Sequence, residues 1–250
     1  MLAELRRHLP HESVVYVADQ RFAPYGDRTL KQVRERSVHI AGALIDVGAK
    51  AVVVACNSAS AAALHHLRSV HPGFPFIGME PAVKPAALES STGVIGVLAT
   101  SATFQGELFA SVVDRHAGDV EVITVAEPQL FHLVEDGPDA ARGGGDVLDA
   151  VVSDLLARRV DTIVLGCTHY AFLKDAIRRL CGPGVAIVDP APSVARQVGR
   201  VLEQEGTTTP GTAPGAAHYH TTSDPAKFAA SISRLLGMPA STAPTRWPAT

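Results

Sequence analysis

A chain of 250 residues can bury a sizeable core and suits one large or two small α/β domains. Its 46% hydrophobic content argues against disorder, and a net charge of −3 with no Lys/Arg block argues against nucleic-acid or membrane-surface binding. Cys56, Cys167 and Cys181 are widely spaced and never form a CxxC, which excludes a disulfide scaffold or zinc knuckle and fits a reducing compartment. No stretch approaches the ~18 apolar residues of a membrane helix. The opening MLAELRRHLPHE lacks an apolar signal core. The expectation is a cytoplasmic protein with no nucleic-acid and no membrane partner.

In chain order, SVVYVA (13–18), AVVVA (51–55), FPFIG (74–78), GVIGVL (93–98), VEVITV (120–125), DTIVLG (161–166) and VAIVD (185–189) read as buried strands. Between them lie segments of helical period, such as LKQVRERSVHIAGALIDVG and SDLLARRV. GGG at 143–145 follows no strand and reads as a loop, not a phosphate cradle. EGTTTPGTAPGAA (205–217) reads as a linker before a last strand, HYHTT, and a last helix, DPAKFAASISRLLG. The tail 238–250 reads as disordered. Strand–helix alternation predicts parallel sheets flanked by helices, with functional loops at the strands' C-terminal ends.

The chain contains an internal repeat. ALIDVGAKAVVVACNSASAAALHHLRSVHPGFPFIGMEPA and DLLARRVDTIVLGCTHYAFLKDAIRRLCGPGVAIVDPAPS share one order: helix, strand, Cys, helix, Pro/Gly turn, strand, acidic residue, proline. Cys56 and Cys167 therefore occupy equivalent places in two related half-structures.

Each of these cysteines ends a strand and opens a helix. Free N–H groups and partial positive charge at a helix N-terminus lower a thiol's pKa, and they can hold a substrate carboxylate. Two facing halves would present two thiols to opposite faces of one small molecule. One thiolate would remove a proton from a stereocentre while the other thiol returns one, which is racemisation or epimerisation. A single cysteine after a strand would more simply be core packing; two at matching positions favour chemistry. Cys181, at a helix end, keeps the packing reading. His169 reads as a proton partner of Cys167, with a helix-capping or substrate-contacting imidazole as the alternative. His65, His66 and His71 read as helix-surface residues, and no His/Asp cluster suggests a metal. A Cys/His hydrolase would leave the second cysteine unexplained.

ACNSAS (55–60), LGCTHY (165–170), APYGDRT (23–29), LVEDG (133–137) and TTSDP (221–225) resemble the glutamate racemases of the aspartate/glutamate racemase superfamily over about residues 1–237. The resemblance implies two pseudo-symmetric parallel-sheet α/β domains with the site at their interface. Domain one would comprise 1–80 with 190–237, and domain two 81–189. It implies interconversion of L- and D-glutamate for peptidoglycan synthesis, no pyridoxal phosphate or metal cofactor, and room for a homodimer. Carried over by motif, Cys56 and Cys167 would exchange protons, with Glu135 and His169 assisting. Tyr25, Gly26, Asn57, Ser58, Thr168 and His169 would bind substrate. From sequence alone Tyr25-Gly26 is a turn and Glu135 a helix-end charge.

The departures are specific. The family begins with an apolar strand ending in Asp-Ser-Gly-x-Gly-Gly, whose Asp and Ser belong to the site. MLAELRRHLP corresponds to the helix after that loop, so a misplaced start or a shortened, impaired protein is expected, with exposed sheet edges and apolar surface. Ser58 stands where threonine is usual. ADQ (18–20) replaces Gly-Asp-Thr, leaving substrate fit there open. Competing expectations are a superfamily racemase for aspartate or a hydantoin, and a non-catalytic ligand-binding homologue.

Overall fold

The computed structural model describes residues 1–136, 145–237 and 245–247. Its strands are β1 (Val14–Ala18), β2 (Val52–Val54), β3 (Phe76–Gly78), β4 (Val94–Leu98), β5 (Glu121–Val125), β6 (Thr162–Leu165), β7 (Ala186–Val188), β8 (Ala217–Thr221) and β9 (Thr245–Arg246). β1 to β7 fall within the apolar runs expected to form strands, β8 overlaps the expected last strand HYHTT and starts one residue earlier, and β9 lies in none of them. All pairings are parallel, in three sheets ordered β1-β8-β9, β2-β3 and β5-β4-β6-β7. The chain is thus the parallel α/β protein its alternation predicts.

The four-stranded sheet shows why these runs become strands. Side chains alternate across a strand, so on β4 and β6 Ile95, Val97 and Val164 face one core with Val83, Phe109 and Val112. Leu98, Ile163 and Leu165 face the opposite core with Leu130, Leu148, Val152 and Leu155. A sheet covered by helices on both faces needs apolar residues at every position, hence runs rather than alternation. Each fully buried Leu or Ile contributes about 1.5–3 kcal/mol of transfer free energy.

The other half is divided. Among the described residues β1 pairs only with β8, and β2 only with β3, so each keeps an unpaired edge. An apolar cavity of about 400 Å³ extends between them, lined by Val15, Tyr16 and Val17 of β1 and by Val52, Val53 and Val54 of β2. The helix Leu30–Asp46 contributes Ile40 and Leu44 to its wall, and Pro225–Leu236 contributes Phe228 and Ile232.

Helix ends carry their own signals. Thr29 and Gln32 form a reciprocal capping box at the start of Leu30–Asp46. Asp224 caps Pro225–Leu236, which ends at Gly237 in the left-handed conformation.

Three readings change. Residues 207–216 lack helix or strand, but they are anchored: Thr209 donates to Glu12 through its backbone N–H (2.8 Å) and hydroxyl (2.6 Å), and Lys50 reaches the Thr207 carbonyl. The tail expected to be disordered contributes β9 at the edge of β8, and Trp247 is buried with its ring 5.0 Å from His220. The strand forms because β8 still offers an edge and Trp247 covers it. Gly143, Gly144 and Gly137 of the LVEDG motif lie outside the described residues; Gly145 begins the helix Gly145–Ala157. No helix among the described residues is long and apolar enough to cross a membrane.

Candidate active site

The functional positions follow the C-terminal ends of parallel strands, where loops converge. Cys56 follows β2 and is the N-cap residue of the helix Asn57–Val70. Ser60 fixes that helix start: its hydroxyl donates to the Val54 carbonyl (3.1 Å) and accepts from the Met79 N–H (2.9 Å). Cys167 follows β6 but caps a 3-10 helix, Thr168–Leu173, before the α-helix Lys174–Cys181. The two cysteine environments are therefore related rather than identical. Both line the cavity described above.

Gly166 permits the approach of Cys167. Its N–H donates to the Leu98 carbonyl at 2.7 Å. A Cβ there would lie 3.0 Å from that same carbonyl oxygen and 2.8 Å from Ala99 Cβ. Gly26 is equally confined, since its Cβ would sit 2.8 Å from Thr100 Cβ. Thr100 follows β4 and meets Ser58 hydroxyl to hydroxyl at 2.8 Å, with Thr103 3.1 Å from Thr100. Thr168 donates to the carbonyl of Ala55, the residue before Cys56, at 3.3 Å. The two motif segments thus touch directly.

Around Cys167 the structure assembles a chain of titratable groups. His169 Nδ1 lies 4.0 Å from the Cys167 sulfur, and its Nε2 lies 2.9 Å from Glu135 Oε1. Phe131 packs against the imidazole with ring centroids 4.5 Å apart. Burial disfavours the charged imidazole, yet the Cys167 sulfur and the Glu135 carboxylate outweigh it and raise His169 to about 9. Glu135 is held below the ordinary carboxylate range, chiefly by its hydrogen bond to His169.

Cys56 departs from expectation. Burial pushes its thiol up; the N–H groups of Ala59 and Ser58 pull the other way without prevailing, and Cys167 adds to the rise. A helix N-terminus alone does not depress a thiol that is also desolvated. Asn57 beside it is 2% exposed, and its side-chain amide N and O both lack partners among the described residues. An unsatisfied buried polar group costs about 1–3 kcal/mol.

Tyr25 is held by a network that sequence reasoning missed. Its hydroxyl donates to Asp19 at 2.5 Å, and Arg36 donates to both Asp19 oxygens at 2.8 and 2.9 Å. Arg36 also stacks on Phe22, 4.4 Å from the ring centroid. Burial and the Asp19 carboxylate raise the phenol's pKa, so it remains a donor. Arg36, Thr100 and Phe131 went unread, and Asp19 was noted only within the ADQ departure. Asp19 and Thr100 left a sequence signal, a polar residue just after an apolar strand, as at Cys56 and Cys167. Cys181 is half-buried at its helix end and packs against the core.

All nine sequence-singled residues, Tyr25, Gly26, Cys56, Asn57, Ser58, Glu135, Cys167, Thr168 and His169, lie at this cavity or immediately beside it. Among the described residues no group of three or more His, Cys, Asp or Glu could hold a metal ion. Fold and cavity define a parallel α/β protein with two thiols at strand C-termini around one small-molecule-sized pocket.

Comparison with known proteins places it further. The family model for Asp/Glu/Hydantoin racemase matches residues 1–198. A glutamate racemase of Pseudomonas putida (strain F1) is 46% identical over 225 residues, covering 90% of this chain and 84% of its own. The crystal structure of a glutamate racemase isoform from Bacillus anthracis superposes with a TM-score of 0.83 at 28% identity, covering 100% of this chain and 92% of that one. The Escherichia coli glutamate racemase, solved with L-glutamate and the activator UDP-MurNAc-ala, gives 0.77 at 28% identity, covering 98% and 91%. The chain belongs to the Asp/Glu/hydantoin racemase family. It is accordingly an amino-acid racemase, an enzyme of the isomerase class.

Proposed function

We propose that the chain interconverts L- and D-glutamate by proton transfer between two thiols, supplying the D-isomer for peptidoglycan synthesis in the cytoplasm. One observation carries the reading: Cys56 and Cys167 occupy equivalent positions after β2 and β6 and line one cavity. The thiolate of one cysteine takes the α-proton. The resulting carbanion then takes a proton from the thiol of the other on the opposite face. The two sulfurs end with protonation states exchanged, and solvent or the reverse reaction resets them. His169, kept cationic by Glu135, stands beside the Cys167 sulfur as its proton partner. Tyr25, Asn57, Ser58 and Thr168 hold the substrate, with Gly26 allowing the close contact at Thr100. The relatives that share the fold are named glutamate racemases, one solved with L-glutamate, which supports glutamate over aspartate or a hydantoin.

The test is incubation of each glutamate enantiomer in deuterium oxide, following α-deuterium by NMR and optical activity by circular dichroism. Deuterium enters both enantiomers, and Cys56→Ser or Cys167→Ser abolishes racemisation. Retention of the α-hydrogen with both enantiomers refutes the reading. A panel with aspartate and hydantoins distinguishes the substrates. A second reading, a ligand-binding homologue of impaired activity, is favoured by the unpaired edges of β1 and β2 beside the cavity. It predicts glutamate binding by calorimetry without exchange.

A further inference from the structure

We propose that Arg234 is a positioning residue for the Cys167 side of the reaction, reaching from the opposite half of the molecule to fix the helix end that carries Glu135. The inference rests on the two-thiol reading above and adds a residue that no motif points to. Arg234 lies in the last turn of the helix Pro225–Leu236. Its Nη1 donates to the Val134 carbonyl at 2.8 Å and its Nη2 to the Glu135 carbonyl at 2.6 Å.

Those carbonyls belong to the last turn of the helix Gln129–Asp136, where backbone acceptors have no intrahelical partner. A guanidinium suits the position for three reasons. Its planar fork satisfies two adjacent carbonyls at once. Its charge complements the helix's negative end. It also helps to hold the Glu135 carboxyl low.

The anchor is rigid at both ends. Phe228 and Ile232, on the same helix as Arg234, are buried against β1 and β8 with Tyr16 and Tyr219. Tyr16 and Phe228 stack with ring centroids 5.9 Å apart and an interplanar angle of 13°. Asp224 caps the helix at one end and Gly237 closes it at the other. On the receiving side, Val134 and Leu130 are fully buried in the core that holds Cys167 and Tyr170. A line of bonded groups therefore runs from β1 and β8 through Arg234 to Glu135, then His169, then Cys167. Losing the fork frees the helix end on which Glu135 sits, and small displacements of a proton-transfer partner cost up to about a hundredfold in rate. Cys56 lies outside this line, so the two half-reactions respond differently.

That asymmetry separates positioning from simple helix capping. The enantiomers have equal free energies, so kcat/KM must be equal in both directions for every variant, and rate alone cannot reveal which thiol is slowed. Isotope effects can. In Arg234→Ala and Arg234→Lys, kcat falls about ten- to a hundredfold. The primary isotope effect with α-deuterated substrate rises for one enantiomer only, and the solvent isotope effect rises for the other. Glu135→Gln gives the same signature, and the double variant is no slower than Glu135→Gln alone.

A second measurement needs no turnover. In 15N-labelled protein the His169 titration midpoint falls by about one pH unit in Arg234→Ala as Glu135 loosens; Arg234→Lys serves if the alanine variant does not fold. An unchanged His169 midpoint, or isotope effects that rise equally for both enantiomers, overturns the proposal. Loss of thiol-dependent exchange in the wild type refutes the two-thiol reading instead, and the His169 titration still decides the role of Arg234.

Discussion

Glu135→Gln removes one charge while keeping the side chain's shape, and its consequence can be worked from the geometry. His169 stands at about 9 against an ordinary 6.5, which amounts to roughly 3 kcal/mol in favour of the imidazolium. Burial opposes that form, so the Cys167 sulfur and the Glu135 carboxylate supply the whole gain. Since the two partners must also overcome burial, losing Glu135 lowers the imidazole by about one pKa unit or more. The sign follows from linkage. A raised imidazole stabilises the fold fully below 6.5 and loses that contribution as pH rises through about 9. Glu135, being depressed, contributes above 4.5 and loses its share as pH falls through its lowered value. In Glu135→Gln the alkaline limb of the racemisation profile should therefore move down by about one pH unit, and thermal stability should fall off earlier between pH 6.5 and 9. A pH series of initial rates with parallel melting curves measures both. An alkaline limb that stays in place, with His169 still titrating near 9 by 15N NMR, would refute the reasoning.

Three further outcomes follow from packing. Gly166→Ala places a methyl group 3.0 Å from the Leu98 carbonyl oxygen, so it should destabilise by about 1–3 kcal/mol in urea unfolding and reduce kcat by displacing Cys167. Asp19→Ala strands Arg36, whose side chain is only 10% exposed, and should cost about 3–5 kcal/mol by denaturant titration; Asp19→Asn, which keeps an acceptor for Tyr25, should raise KM more than it lowers kcat. Leu155→Ala should cost about 2–5 kcal/mol. Because Leu155 Cδ2 lies 2.9 Å from where a Cβ on Gly96 would stand, Gly96→Ala should be better tolerated in that background than alone, as a double-mutant cycle would show.

What the chain reveals locally is what short-range periodicity encodes. The buried β-branched runs announced seven of the nine strands, because a strand covered on both faces must be apolar throughout, and HYHTT announced an eighth. The repeat placed Cys56 and Cys167 at matching strand ends before any fold was known, and the motifs identified His169 and Glu135 individually. Tertiary structure decided the rest. Cys56 is raised rather than lowered because burial competes with the helix N-terminus, and burial is a property of the packed chain. Cys167 opens a 3-10 helix, which the repeat's symmetry concealed. Trp247 is buried because β8 had an edge to cover, although its own segment reads as a tail. Thr168 meets Ala55, Arg36 meets Asp19, and Arg234 meets Val134 a hundred residues away. No periodicity announces such pairs, since each depends on how separate sheets and helices come to face one another around the cavity.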